Sequence, residues 1–323
     1  MYFYLDSLSH RITSIPTIGD ASKMFQHNPY HIDAKVIADS TNEMNATRIT
    51  TMQIRVPRMI LAEFNTHRNF SRNFASSRAI PSKKTRAEVL ENPMMPVYWG
   101  ANQSGMSAKV ELEGWRKTVA QMVWKSASLF ASFHHWILEK VGLHKQTANR
   151  IIEPYLSVTG VVTSTEWDNF FRLRINEMAQ PEMQCLATAM KTALDNSEPK
   201  MLKTGEVHLP YIDDEELTTH GKQNAIKMSV ARCCRTSYNN MLGFKSQPEE
   251  DIKLFERAVT NEHWSPTEHI SFVPFPNLNR RVALKNNLER NLEGWCQLRG
   301  MLDNAEGKHI LETKFDAKLT VKE

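Results

Sequence analysis

Cysteine is scarce in this chain, four in 323 residues, and the four are badly placed for the usual cysteine chemistry. Cys185, Cys233, Cys234 and Cys296 form no Cys-x-x-Cys pair and have no histidine at zinc-ligand spacing, which speaks against a zinc site and a dithiol redox motif. They read as free thiols of a reducing, cytoplasmic compartment. Long apolar runs are missing too. No stretch approaches the roughly 18 apolar residues of a membrane span, and Met1–His10 lacks a basic segment followed by an apolar run, so neither a membrane anchor nor a leader is expected. Nor does one sign of charge dominate. An excess of four positive charges is too small to coat a polymeric nucleic acid, although it would favour small anions if focused in a cleft.

What the chain does have is a polar concentration at His67–Arg78, His-Arg-Asn-Phe-Ser-Arg-Asn-Phe-Ala-Ser-Ser-Arg, set between the apolar run Met59–Phe64 and Pro81. A core element would not spend so many polar groups. Guanidinium forks, hydroxyls and amides suit a multiply charged anion, because Arg matches phosphate oxygens in pairs and Ser fills the remaining acceptor sites. The first candidate ligand is a nucleotide or similar phosphate. The competing reading is a solvated basic loop.

The surrounding pattern predicts a chain of mixed helices and strands. Residues 1–50 carry no motif and read as an N-terminal extension with a strand or two. Thr51–Val56 alternates as a half-buried strand, and Met59–Phe64 reads as a short helix delivering the polar segment. From Trp115 the apolar residues Val119, Met122, Val123, Phe130, Phe133 and Ile137 recur at helical spacing up to Gly142. His134 and His135 on that helix point to different sides and do not make a metal site. Val158–Val162 reads as a strand, Trp167–Ala179 as a helix with Phe170 and Phe171 inward, and Glu182–Leu194 as a further helix opened by Pro181. Residues 195–225 read as a connection. A helix is expected over Gln247–Asn261 and a strand over Ile270–Phe275. The tail, 276–323, is left unassigned, with Asn291–Arg299 placed either across the site or at a subunit interface.

His67-Arg68-x-x-Ser71-x-Asn73-x-x-Ser76-x-Arg78 is similar to the signature of the flavin-dependent thymidylate synthases. Asn169-Phe170-x-x-Leu173-Arg174 followed by Ala179-Gln180-x-Glu182 resembles their second block. Arg235-x-Ser237-Tyr238 and His263-x-Ser265-Pro266-x-Glu268-His269 resemble blocks that usually stand ahead of the His-Arg signature, so the order here is that of a circularly permuted member. Permutation is physically reasonable, since the ends of a compact domain often lie close together. Four departures accompany the match: Thr66 where the family has Arg, Phe74 where it has an acid, Thr163 where it has a flavin-side Asn, and Glu63 where it has Gln.

The resemblance implies an α+β fold, a mixed sheet flanked by helices, with the catalytic unit spanning 51–275. It implies conversion of dUMP to dTMP with FAD, NADPH and methylenetetrahydrofolate, in a homotetramer whose flavin lies at subunit interfaces. By carry-over Ser76, Arg78, Arg150 and Arg174 would hold the nucleotide, with Arg174 polarising the pyrimidine. His67, Arg68, Asn169, His263, Ser265 and Glu268 would surround the flavin. No membrane, metal or polymeric nucleic acid enters this reading. Two alternatives remain open on the residues alone: hydroxymethylation of a pyrimidine nucleotide on the same framework, and a non-catalytic nucleotide-binding relative.

Overall fold

A computed structural model of the chain describes residues 32–236, 246–276, 278 and 280–319. Ser237 and Tyr238 of the third block, and most of the N-terminal extension, lie outside the described residues. Strand β1 (Asp33–Asn42) pairs antiparallel with β2 (Arg48–Pro57). On β2 the alternation does what it should: Met52, Ile54 and Val56 are fully buried while Gln53 and Arg55 stay half exposed. β3 (Ser71–Phe74), β4 (Ser157–Ser164) and β5 (Lys200–Leu202) complete a five-stranded sheet in the order β3-β4-β2-β1-β5, antiparallel except for β5 beside β1.

The principal helices are α1 (Ser82–Glu91), α2 (Gly114–Lys140), α3 (Asp168–Arg174), α4 (Pro181–Asp195), α5 (Asp214–Thr236) and α6 (Pro248–Thr260). α3 and α4 lay Phe170, Phe171, Met183, Leu186 and Met190 on the Met52 face of the large sheet. A second sheet, β6 (Val207–His208), β7 (Ser271–Phe272) and β8 (Cys296–Gln297), packs with α5, α6 and the tail helices Leu298–Leu302 and Ala305–Thr313 around Phe255, Phe272, Met301 and Phe315. The fold is therefore α+β with a mixed sheet flanked by helices.

Four expectations change. Residues 195–225 are not a bare connection: they contribute β5, β6 and the start of α5. The tail is core, with Leu288, Leu292, Trp295 and Leu298 fully buried. The helix expected to reach Ala179 ends at Arg174, because Ile175 leaves helical geometry at φ −86°, ψ 66°. The strand expected over Ile270–Phe275 is only the two-residue β7. α2 has nearly the expected bounds, and its apolar stripe faces outward. Its inward face carries the buried Ser128, Ser132 and His135, while Trp115, Met122, Val123, Phe130 and Phe133 are more than half exposed. Among the described residues no helix is long and apolar enough to cross a membrane.

Candidate functional site

Two aromatic anchors hold the polar segment in place. Phe64 ends the helical turn Leu61–Phe64 and is fully buried. Phe70 packs its ring against Phe64, Trp167 and Phe170 at 5.7, 4.9 and 5.2 Å. Between these anchors residues 65–69 must stay at the surface, and beyond Phe70 the chain enters β3 as the edge strand of the sheet. Arg72 stiffens the loop from below, donating to the main-chain oxygens of Asn65, His67 and Phe70 at 3.0, 2.9 and 3.1 Å.

The first of three neighbouring clefts, about 270 Å³, is lined by His67, Arg68, Asn169 and Arg174 among others. Arg174 sits one turn beyond Asn169 on α3, with Phe170 and Phe171 turned into the core. Its Nε donates to His67 Nε2 at 2.8 Å, and its Nη1 is paired with Glu63. Thr66, where the family has Arg, places Oγ1 3.5 Å from Nη2. Burial and then the Arg174 and Arg72 charges push the His67 imidazole down to about 4. A neutral ring that accepts at Nε2 carries its proton on Nδ1. Asn169 accepts from Arg172 at 2.8 Å.

A second cleft, about 370 Å³, brings Ser76 and Arg78 together with His263 and Ser265, residues almost two hundred positions apart. Asn73 Nδ2 donates to Cys233 O at 3.0 Å and ties β3 to α5 at this place. Phe74 lines the cleft in place of an acid. Its ring lies over Gly160, where a Cβ would come within 2.2 Å of it, so Gly160 is the space the aromatic needs. Arg150 does not line this cleft: its side chain is half exposed and paired with Glu153 at 2.9 Å, while Glu153 also pairs with Arg58 and accepts from Ser77.

The third cleft, about 410 Å³, joins Arg68 and Glu268 and shares Arg68 and Phe70 with the first. Burial raises the Glu268 carboxyl against the lowering pull of Arg299, Arg290 and Arg72. Half of its lining is tail: Asn287, Arg290, Asn291 and Gln297. Of the two places open to this segment from sequence, it occupies the one across the clefts, with Asn291 donating to Asn69 O and Ser71 Oγ at 3.0 Å each. Arg72, His144 and Gln146 also line the clefts, beyond the residues the motifs point to. Of these only Arg72 lay inside a motif.

Thr163 lies in none of the three clefts. It is fully buried in a row of polar groups between the two sheets: Ser40 Oγ, His208, Thr51 Oγ1, Thr163 Oγ1 and His269 Nδ1 follow one another at 2.7–2.9 Å. Burial pushes both imidazoles down to about 3. The cysteines are all buried and unpaired. Burial raises Cys185 to about 11, Cys296 to about 12, and Cys233 and Cys234 upward as well, the opposite of what an attacking thiolate needs. Among the described residues no group of His, Cys, Asp and Glu is arranged to hold a metal ion.

Residues 38–200, about half of the chain, match the family described as thymidylate synthase complementing protein. That match ends before the Ser229–Tyr238 and His263–His269 blocks. No curated protein matches. Among solved structures, a UMP/dUMP methylase PolB from Streptomyces cacaoi bound with 5-Br UMP is 13% identical over 53% of this chain and 90% of that one, with a TM-score of 0.40. The same methylase bound with 5-Br dUMP is 17% identical over 48% and 68%, with a TM-score of 0.37.

Proposed function

We propose, for a chain that belongs to the thymidylate synthase complementing protein family, that it methylates dUMP at carbon 5 to give dTMP, with FAD as cofactor and methylenetetrahydrofolate and NADPH as co-substrates. The observation that carries this reading is the joining of separated blocks: Ser76 and Arg78 share a cleft with His263 and Ser265, and Arg68 shares one with Glu268. In the family's usual order these blocks stand ahead of the His-Arg signature, and a permuted chain keeps their neighbourhood in space while separating them in sequence, which is the physical content of the resemblance.

The residues fit a flavin on their own chemistry. Arg68 is exposed and has no hydrogen-bond or ion-pair partner among the described residues, and the fully buried Gln297 at the cleft wall has an Oε1 without a partner. His67, Arg68, Asn169, His263, Ser265 and Glu268 would hold it. FAD, when bound, supplies the reducing equivalents that leave the transferred carbon as a methyl group. The protein's own work is orientation and charge. Ser76 and Arg78 grip the nucleotide phosphate, and Arg150, which lies outside this cleft, joins them only by exchanging Glu153 for the phosphate. Arg174, fixed by Glu63 and His67, presents its Nη2 edge to a pyrimidine oxygen on which negative charge grows as carbon 5 becomes nucleophilic. The buried, proton-holding thiols favour a route without an enzyme nucleophile.

The outward face of α2 supports a homo-oligomer, since a 27-residue helix with two tryptophans and two phenylalanines turned outward needs cover. A second copy of the chain is the occupant the family resemblance supplies. Free, buried thiols suit the cytoplasm. The test is the mass of the product formed from dUMP, and separately from dCMP, with FAD, methylenetetrahydrofolate and NADPH. dUMP gaining one methyl group supports the reading. A hydroxymethyl product, or turnover of dCMP alone, replaces it.

A further inference from the structure

The tail segment Asn287–Gln297 lies outside the family match and belongs to none of the four motifs, yet it forms one wall of the third cleft. Its charge is unbalanced. Around the cleft stand the guanidinium groups of Arg68, Arg72, Arg290 and Arg299 against the carboxylates of Glu268 and Asp303. Arg290 and Arg299 share Asp303, at 2.7 and 2.9 Å, and Arg299 reaches Glu268 only at 4.0 Å. Arg72 is spent on main-chain oxygens, and Arg68 has no carboxylate at all.

The wall is held in a costly shape. Asn287 and Arg290 have φ of 49° and 50°, the left-handed region that an arginine rarely adopts. Such strain persists where the surroundings impose it and collects at ligand sites. Here the surroundings are explicit. Leu288, Leu292 and Trp295 are sunk in the core, and the Asn291 side chain is pinned to Asn69 and Ser71. Gln297 adds an independent sign. Its Nε2 is shared among Ser71, Asn291 and the Glu268 carbonyl, while the buried Oε1 has no partner. An amide oxygen in that state takes a hydrogen-bond donor, so it points to an N–H or O–H of a ligand in this cleft, beside the anionic oxygens that the arginines would hold.

We propose that this segment completes an oxyanion site of phosphate type, in which Arg290 from the tail and Arg68 from the His-Arg segment grip one ligand group together. Arg290 is a binding residue contributed by a part of the chain that carries no family motif. The shared chemistry is a phosphate or diphosphate oxygen, which could belong to the flavin dinucleotide or to the nucleotide monophosphate. The identity of that ligand rests on the function proposed above; the site itself does not.

The experiment is calorimetric titration of the full chain with inorganic pyrophosphate, FAD and dUMP, in wild type, R290A, R290Q and D303N. R290Q keeps a hydrogen bond to Asp303 while removing the charge, so it serves if R290A folds poorly. Both Arg290 variants should bind pyrophosphate at least about tenfold more weakly, the scale of one charge-assisted hydrogen bond. D303N, which removes the same ion pair but leaves the cation, should bind as tightly or more tightly. A parallel loss for FAD assigns the site to the dinucleotide, and a parallel loss for dUMP assigns it to the mononucleotide. Absence of pyrophosphate binding in wild type, unchanged affinity in both Arg290 variants, or an equal loss in D303N would overturn the site. Pyrophosphate binding through Arg290 without any FAD binding leaves the site standing and removes flavin from the proposed function. FAD binding that ignores Arg290, with pyrophosphate and dUMP affinity unchanged as well, overturns the site and leaves flavin in the proposed function.

Discussion

Acid should destabilise this protein early, and the histidines between the two sheets set the size of the effect. His208 and His269 are fully buried and pushed down to about 3, against an ordinary value of 6.5. In the unfolded chain each binds a proton near its ordinary value. Between the two values the unfolded state therefore holds more protons, stability rises with pH, and it is lost as pH falls. Each histidine contributes about 1.4 kcal/mol per pH unit in that window, so the pair costs on the order of 4 kcal/mol on going down to about pH 5. That is a large share of a typical stability of about 5–15 kcal/mol. His67, held down to about 4, acts in the same direction, with a smaller share because it is only half buried. The assay is urea unfolding at about pH 7.5 and about pH 5, in wild type and H269Q, which keeps a polar partner for Thr163 and removes one titrating ring. The variant should lose about 2 kcal/mol less than wild type between the two conditions. An equal loss in both would refute the reasoning, because the acid sensitivity would then lie elsewhere.

Three further outcomes follow from the site. R174A should lower turnover by roughly 10²–10³-fold with FAD content unchanged, and R174K should recover only part, since an ammonium cannot reproduce the planar fork; near-normal turnover in the folded fraction would make Arg174 structural. Replacing Cys185, Cys233, Cys234 or Cys296 singly by Ala should keep turnover within about tenfold, with losses of about 1 kcal/mol in stability; total loss of activity in one folded variant would restore a covalent mechanism. Substituting Phe130 and Phe133 on the outward face of α2 by Ser should lower the oligomeric state seen by light scattering without lowering the melting temperature of the dissociated chain. A fall in that melting temperature instead would mean the face packs within one chain.

The parts of the fold that could be read beforehand are those with a strong local period. β2 is legible because Met52, Ile54 and Val56 alternate with polar neighbours, and α4 because Pro181 fixes its start. The orientation of α2 was not legible: spacing reveals an apolar stripe but not whether the stripe meets its own chain or another. α3 stops short because Pro181 holds Gln180 extended, at ψ 137°, and residues 175–180 are used up in the turn before it. β5 and β6 are three- and two-residue strands, too short to show a period in the sequence. They exist because β1 and β7 pair with them. All the motif residues put forward for the site except Arg150 line one of the three clefts, whereas Arg290, Asn291 and Gln297 have no local signature. Only the folding of the tail against Ser71 brings them there.

Methylation of dUMP by way of bound flavin, as proposed above, is open to direct observation. Its most direct measurement is the absorption spectrum of the full chain reconstituted with FAD, followed anaerobically through addition of NADPH and then of methylenetetrahydrofolate with dUMP. NADPH should bleach the flavin band, which should return in step with one equivalent of dTMP. A chain that retains no flavin, or one that forms dTMP with the flavin band unchanged, would contradict the proposed function.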